Sequence, residues 1–161
     1  MTNLKIKNMP DEALNDKAIA QLKHLLSITT DGMERYKQSA DNSPGPEFAA
    51  FFTDYLIQRK RYAEELRTAI RNLGGNVNET TGGTFSALGR LWTDIKTSIS
   101  NDAERTALEA CAADEKATVA EYETVLESTE LSPVLRELLT DQKTGIERAL
   151  TRLEQLARVY I

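Results

Sequence analysis

What this chain of 161 residues has little of already narrows its architecture and chemistry. Cysteine occurs once, as Cys111, so no internal disulfide can form. The thiol falls on an apolar helix face, where a buried, reduced side chain is expected. Histidine also occurs once. Spacing puts His24 on the outer side of its helix, which makes neither a metal site nor a Cys-His dyad with the inward Cys111. Nowhere do about 18 consecutive apolar residues occur, so no membrane span is expected. Residues 1–16 hold Lys5 and Lys7 but no apolar run that could act as a signal-peptide core, and a cytoplasmic location follows as the expectation. An excess of basic charge is missing too: the formal net charge is -5, with Lys and Arg interspersed among Asp and Glu. Nucleic-acid binders draw most of their affinity from phosphate contacts on a basic face, so no such partner is expected.

Prolines and glycines are few, four and eight, and they gather in a few places, leaving room for long helices. Hydrophobic residues at 40% and charged residues at 28% suit one globular domain with a sizeable core. Apolar residues at helical spacing mark four stretches. Helix 1 covers about 16–40, with Ile19, Leu22, Leu25, Leu26, Met33 and Tyr36 on one stripe, and the Pro44-Gly45-Pro46 region breaks it. Helix 2 runs to about 73, carrying Phe48, Phe52, Tyr55, Tyr62, Leu66, Ile70 and Leu73, and Gly74-Gly75 ends it. Helix 3 starts at Asn101 or Asp102 and reaches about 127, with Leu108, Cys111, Ala112, Val119, Tyr122 and Leu126 inward. Ser132 caps helix 4, Pro133 takes its first position, and Leu135, Leu138, Leu139, Ile146, Ala149, Leu153 and Leu156 line it.

Short loops make two antiparallel helical hairpins, and a crossover over residues 74–101 joins them. The crossover holds a short amphipathic segment with Leu88, Trp92, Ile95 and Ile99 on one face. This is the all-α, ferritin-like four-helix bundle, with residues 1–15 as an N-terminal arm and 16–161 as the bundle. The Leu88 to Ile99 stripe is expected to cover a flank of the bundle. Alternatively it, or the apolar Val159-Tyr160-Ile161 tail, contributes to a homodimer contact.

The two hairpins echo each other. A shift of 86 positions lays Leu22 on Leu108, Leu25 on Cys111 and Tyr36 on Tyr122, and a shift of 83 lays Tyr55 on Leu138 and Ile70 on Leu153. One position per inward stripe is polar: Thr29, Arg59, Glu115 and Gln142. Each hairpin's pair lies level across its turn, so the four are expected to share one layer of an apolar core. Tyr36, Tyr55, Tyr62 and Tyr122 face inward near it.

Di-iron bundles of this layout build their metal site in such a layer, from a carboxylate on helices 1 and 3 and a Glu with a His three residues on from helices 2 and 4. The six matching positions read Thr29, Arg59, Tyr62, Glu115, Gln142 and Gly145. Only Glu115 is a strong ligand and Gln142 a weak one, while Arg59 brings a cation to the place of Fe or Mn. The expectation is a structural ion pair, Arg59 with Glu115, completed by Gln142 and the Thr29 hydroxyl, with no metal or other cofactor. Asp31 and Gln58 repeat the interval between Glu115 and Gln142, but Asp31 falls nearly opposite the apolar stripe and reads as a solvated carboxylate.

Asp31-Gly32 with Tyr36, Leu66 with Leu73-Gly74-Gly75, Ala87-Leu88 with Trp92 and Lys96, and Glu109, Glu115 and Tyr122 form an ordered pattern over about 21–156. In it the chain resembles an uncharacterised bacterial domain-of-unknown-function family placed among ferritin-like four-helix bundles. It departs at Met33 and Arg35 and in a longer N-terminal arm, none of which is expected to touch the core layer. The resemblance implies a fold and a bacterial source but no activity. The functional expectation is a non-enzymatic bundle, an interaction or stress-associated protein. The alternative is a divergent ferritin-like metal-binding protein of the iron oxidation or storage type, with Glu115 and Gln142 as remnant ligands and others from Tyr62 or water. A third reading, a small-molecule binder with the polar layer as pocket floor, requires a gap beside Gly145.

Overall fold

Helices made of apolar stripes need one another, because each stripe must leave water to contribute. A computed structural model describes residues 2–43, 45–77 and 101–159, with side chains over 14–43, 45–77 and 105–159. It contains α1 (Thr2–Asn42), α2 (Pro46–Asn72), α3 (Asn101–Leu126) and α4 (Pro133–Val159), and among the described residues there is no strand. Among the described residues the protein is all-α, with four helices. Its first helix begins at Thr2 rather than near residue 16, so residues 2–15 continue α1. The expected amphipathic segment with Leu88, Trp92, Ile95 and Ile99, and the tail residues Tyr160 and Ile161, lie outside the described residues.

Local chemistry sets the helix ends. Gly45 is extended and Pro46 opens α2, where a missing N–H costs nothing. At the other end Gly74 takes φ 90°, the left-handed region, and the Gly75 N–H returns to the Ile70 carbonyl at 2.9 Å. Ser132 caps α4 by accepting the Leu135 N–H at 3.3 Å. Arg136 then donates to the Leu126 and Ser128 carbonyls, each at 2.6 Å, and so caps the end of α3 from the first turn of α4.

Side-chain pairs fix the direction of packing. Lys17 meets Glu130, His24 meets Glu121 and Arg35 meets Glu115, so α1 and α3 run antiparallel. Tyr62 and Glu65 meet Gln142, while Ala69 and Leu73 share a groove with Leu135 and Val134, so α2 and α4 do the same. Around the bundle the order is α1, α2, α4, α3, which puts α2 diagonally opposite α3. It follows that α2 ends, and α3 begins, at opposite ends of the bundle.

The buried apolar residues separate into two clusters. Leu22, Leu25, Leu66, Ile70, Tyr122, Leu139 and Ile146 belong to the larger one. Tyr36, Phe52, Leu108, Cys111 and Leu153 belong to the other, towards the α1–α2 turn. Between them lies a polar level.

Candidate functional site

One acidic residue in the middle of an apolar stripe is the anomaly from which the site is built. Glu115, on α3, has 0% of its surface exposed. An isolated carboxylate there would be very costly, so the surroundings must supply charge and donors. They come from two directions. Arg59 on α2, 1% exposed, reaches across the diagonal of the bundle. Its Nη2 donates to Oε2 of Glu115, and its Nη1 lies 3.3 Å from Oε1. Arg35, from the neighbouring α1, donates through Nη2 to the same Oε1. Both carboxylate oxygens are therefore taken by guanidinium groups.

The electrostatics follow from this. Burial works against the Arg35 charge, but Glu115, with smaller help from Tyr36, Cys111 and Asp114, outweighs it and holds the guanidinium above its usual range. Asp114, half-exposed at the rim, lies 3.8 Å from Arg35 Nη1 and adds a second negative charge to balance two positive ones. Tyr36 packs its ring beside both cations, with each guanidinium carbon 5.4 Å from the ring centre. Burial, and secondarily Glu115, push its phenol well above the ordinary value.

Gln142 and Thr29, expected to complete this network, do not touch Glu115. Gln142 forms a second cluster on the other side of the layer. Its Nε2 donates to the Glu65 carboxylate at 3.1 Å and to the Tyr62 carbonyl at 3.4 Å, and its Oε1 accepts the Tyr122 hydroxyl at 2.7 Å. Carboxylate and carbonyl can only accept, which fixes the amide orientation. Thr29, also buried, turns its hydroxyl back to the Leu25 carbonyl at 2.7 Å. Burial pushes the Tyr122 phenol up to about 12, against a contact with Thr29 that works in the other direction. The four side chains share a buried level, but they split into an ionic half and a neutral half.

Tyr122 and its echo counterpart Tyr36 differ in their partners. The Tyr122 hydroxyl has Gln142 as acceptor, whereas Tyr36 meets Arg35 and Arg59 with its ring, and among the described residues its hydroxyl has no hydrogen-bond partner. Tyr62 is buried with its hydroxyl against Gly145, where an added Cβ would collide with it. The gap that a small-molecule pocket beside Gly145 would need is filled by Tyr62. Tyr55 is only half-buried and meets Phe51 edge-on and Tyr36 at a tilt, with ring centres 4.9 and 5.7 Å apart.

Arg35 is what sequence reasoning missed, and its position does touch the core layer. A signal was present: Gly32 and Ser39, one turn to either side, are small and buried, and leave room for a long side chain. Gly32 lies directly over the cations, since a Cβ there would sit 3.5 Å from Arg35 Nη2 and 3.9 Å from Arg59 Nη1. Asp31 is half-buried and has a partner, unlike the solvated carboxylate expected. His24 is exposed, 2.9 Å from Glu121. Cys111 is buried beside Ser39, and burial pushes its thiol up to about 11, away from the reactive thiolate.

A metal in this layer would need several deprotonated ligands converging on one point. Among the described residues no three His, Cys, Asp or Glu side chains gather that way. The donor set of Glu115 plus two guanidinium groups does not fit a cation. A family model described as "Domain of unknown function (DUF2383)" matches residues 17–128.

The chain belongs to the DUF2383 family. The match to DUF2383 takes in Thr29, Arg35, Arg59, Glu115 and Tyr122 and stops short of α4, a narrower span than the 21–156 pattern in the sequence. Gln142 and Gly145 therefore lie beyond the part matched to DUF2383. No curated protein matches the chain.

Proposed function

We propose that this protein is a bacterial, cytoplasmic, non-enzymatic bundle of ferritin-like layout, in which guanidinium charge stands where a di-iron bundle holds metal. It acts as an interaction module rather than in iron oxidation or storage. The observation that carries this reading is the saturation of both Glu115 oxygens by Arg59 and Arg35. A cation would have to displace two buried guanidinium groups to reach its only strong ligand. The antiparallel pairing of α1 with α3, and a connection joining opposite ends of the bundle, support the ferritin-like layout. No helix among the described residues is long and apolar enough to cross a membrane.

The test is elemental analysis of protein purified without chelator, before and after addition of Fe(II), Mn(II) or Zn(II). The expected result is no stoichiometric metal in either the parent or Glu115→Ala. A stoichiometric metal that disappears in Glu115→Ala would overturn the reading and restore a redox or storage role.

A further inference from the structure

The neutral half of the polar layer leads out of the core. Glu65, which takes the Gln142 amide on Oε1, also lines a groove between the last turns of α2 and the first turns of α4. The groove encloses about 540 Å³, within the roughly 300–1,000 Å³ usual for small-molecule sites. Ala69, Leu73, Val134, Leu135 and Leu138 form its apolar walls. Val134 is 76% exposed, whereas Ala69 and Leu135 are buried.

We propose that the groove binds a small amphiphilic cation, an ammonium or guanidinium group on a compact apolar body, with Glu65 as the counter-charge. Three observations point to a cation rather than to a neutral or anionic ligand. Glu65 is held from behind by a buried network, since Gln142 is itself fixed by the Tyr122 hydroxyl and the Tyr62 carbonyl. A carboxylate restrained this way loses little freedom on binding. Among the described residues Glu65 bonds to Gln142 alone, on one oxygen, which leaves lone pairs for a ligand. Arg61 and Glu64 line the groove as well: the Arg61 guanidinium lies over the Tyr62 ring at 5.3 Å and Glu64 accepts from Arg67 at 2.6 Å, so the lining carries two carboxylates against one guanidinium. The negative end of the groove is thus Glu65, and its floor is the apolar wall. This inference stands apart from the metal question, since Glu115 and both arginines take no part.

The test uses the full chain in calorimetric titrations with octylammonium, octanol and octanoate below their micellar range, alongside light scattering. The expected order is octylammonium tightest, octanol about tenfold or more weaker, the scale of one lost charge-assisted hydrogen bond, and octanoate weakest. Glu65→Gln, checked for helicity and unfolding temperature, should level octylammonium with octanol while keeping apolar binding. Equal affinity for all three amphiphiles, an unchanged preference in Glu65→Gln, or no binding would each overturn the proposal. So would concentration-dependent dimerisation that blocks the groove, which would assign it to a second copy of the chain.

Discussion

Removing the Glu115 carboxylate should be among the most damaging single changes in this protein. In Glu115→Ala, Arg59 keeps its place in the core with no carboxylate within reach, while Arg35 retains Asp114 at 3.8 Å. One guanidinium is fully stranded and the other is partly compensated. Breaking a buried ion pair by deleting one partner costs about 3–5 kcal/mol, and one stranded cation plus a cavity places Glu115→Ala near 4 kcal/mol. At roughly 2–4 °C per kcal/mol for a chain of this size, the unfolding temperature should fall by about 8–16 °C. Arg59→Leu should cost about 3 kcal/mol, because Glu115 still has Arg35. Replacing all three at once, Arg35→Met, Arg59→Met and Glu115→Leu, should return stability to within about 2 kcal/mol of the parent, since a buried ionic triad seldom outperforms apolar side chains of similar volume. The assay is urea unfolding followed by far-UV circular dichroism, with the slope compared among variants. Two results would refute the reasoning: a Glu115→Ala protein within about 1 kcal/mol of the parent, or a triple variant less stable than the worst single one.

Two further outcomes are expected. Gly145→Ala forces a methyl group against the Tyr62 hydroxyl and should destabilise by about 1–3 kcal/mol, the usual range for overpacking, with Tyr62→Phe recovering part of the loss in a double-mutant cycle. At high pH the buried phenols act against the fold. The folded Tyr122 value is raised from 10.0 to about 12, so its contribution is complete below pH 10 and is lost as pH rises towards 12. Tyr36 shifts in the same direction. An ultraviolet titration should therefore show late phenolate formation that coincides with loss of helicity, and simple titration of every tyrosine near pH 10 with helicity intact would contradict it.

The helices and much of the polar level were legible in the sequence, for reasons that lie in short-range chemistry. Leu22, Leu25, Leu66, Ile70, Leu139 and Leu153 repeat at a spacing that only a helix turns into one face, and all six are buried. Pro46, Gly74 and Ser132 act within a turn of their own position, so the ends they set could be read locally. Thr29, Arg59, Glu115 and Gln142 stood out because each interrupts an apolar stripe, and each is buried.

Partner choice within the layer was not legible. Arg35 sits beside its stripe rather than on it, and periodicity alone cannot say that a flexible arginine bends inward over Gly32. Nor could spacing show that Gln142 would turn to Glu65 and Tyr122, since an amide accepts several partners and only the approach of α2 to α4 selects among them. Periodicity and capping, which depend on neighbours in the chain, settled by themselves that this protein is made of long amphipathic helices with one polar level. Tertiary structure alone decided that two arginines from different helices share Glu115, that Tyr62 fills the space at Gly145, and that the neutral half of the layer opens onto a groove. Each of these depends on distances between residues far apart in sequence, and packing sets those distances.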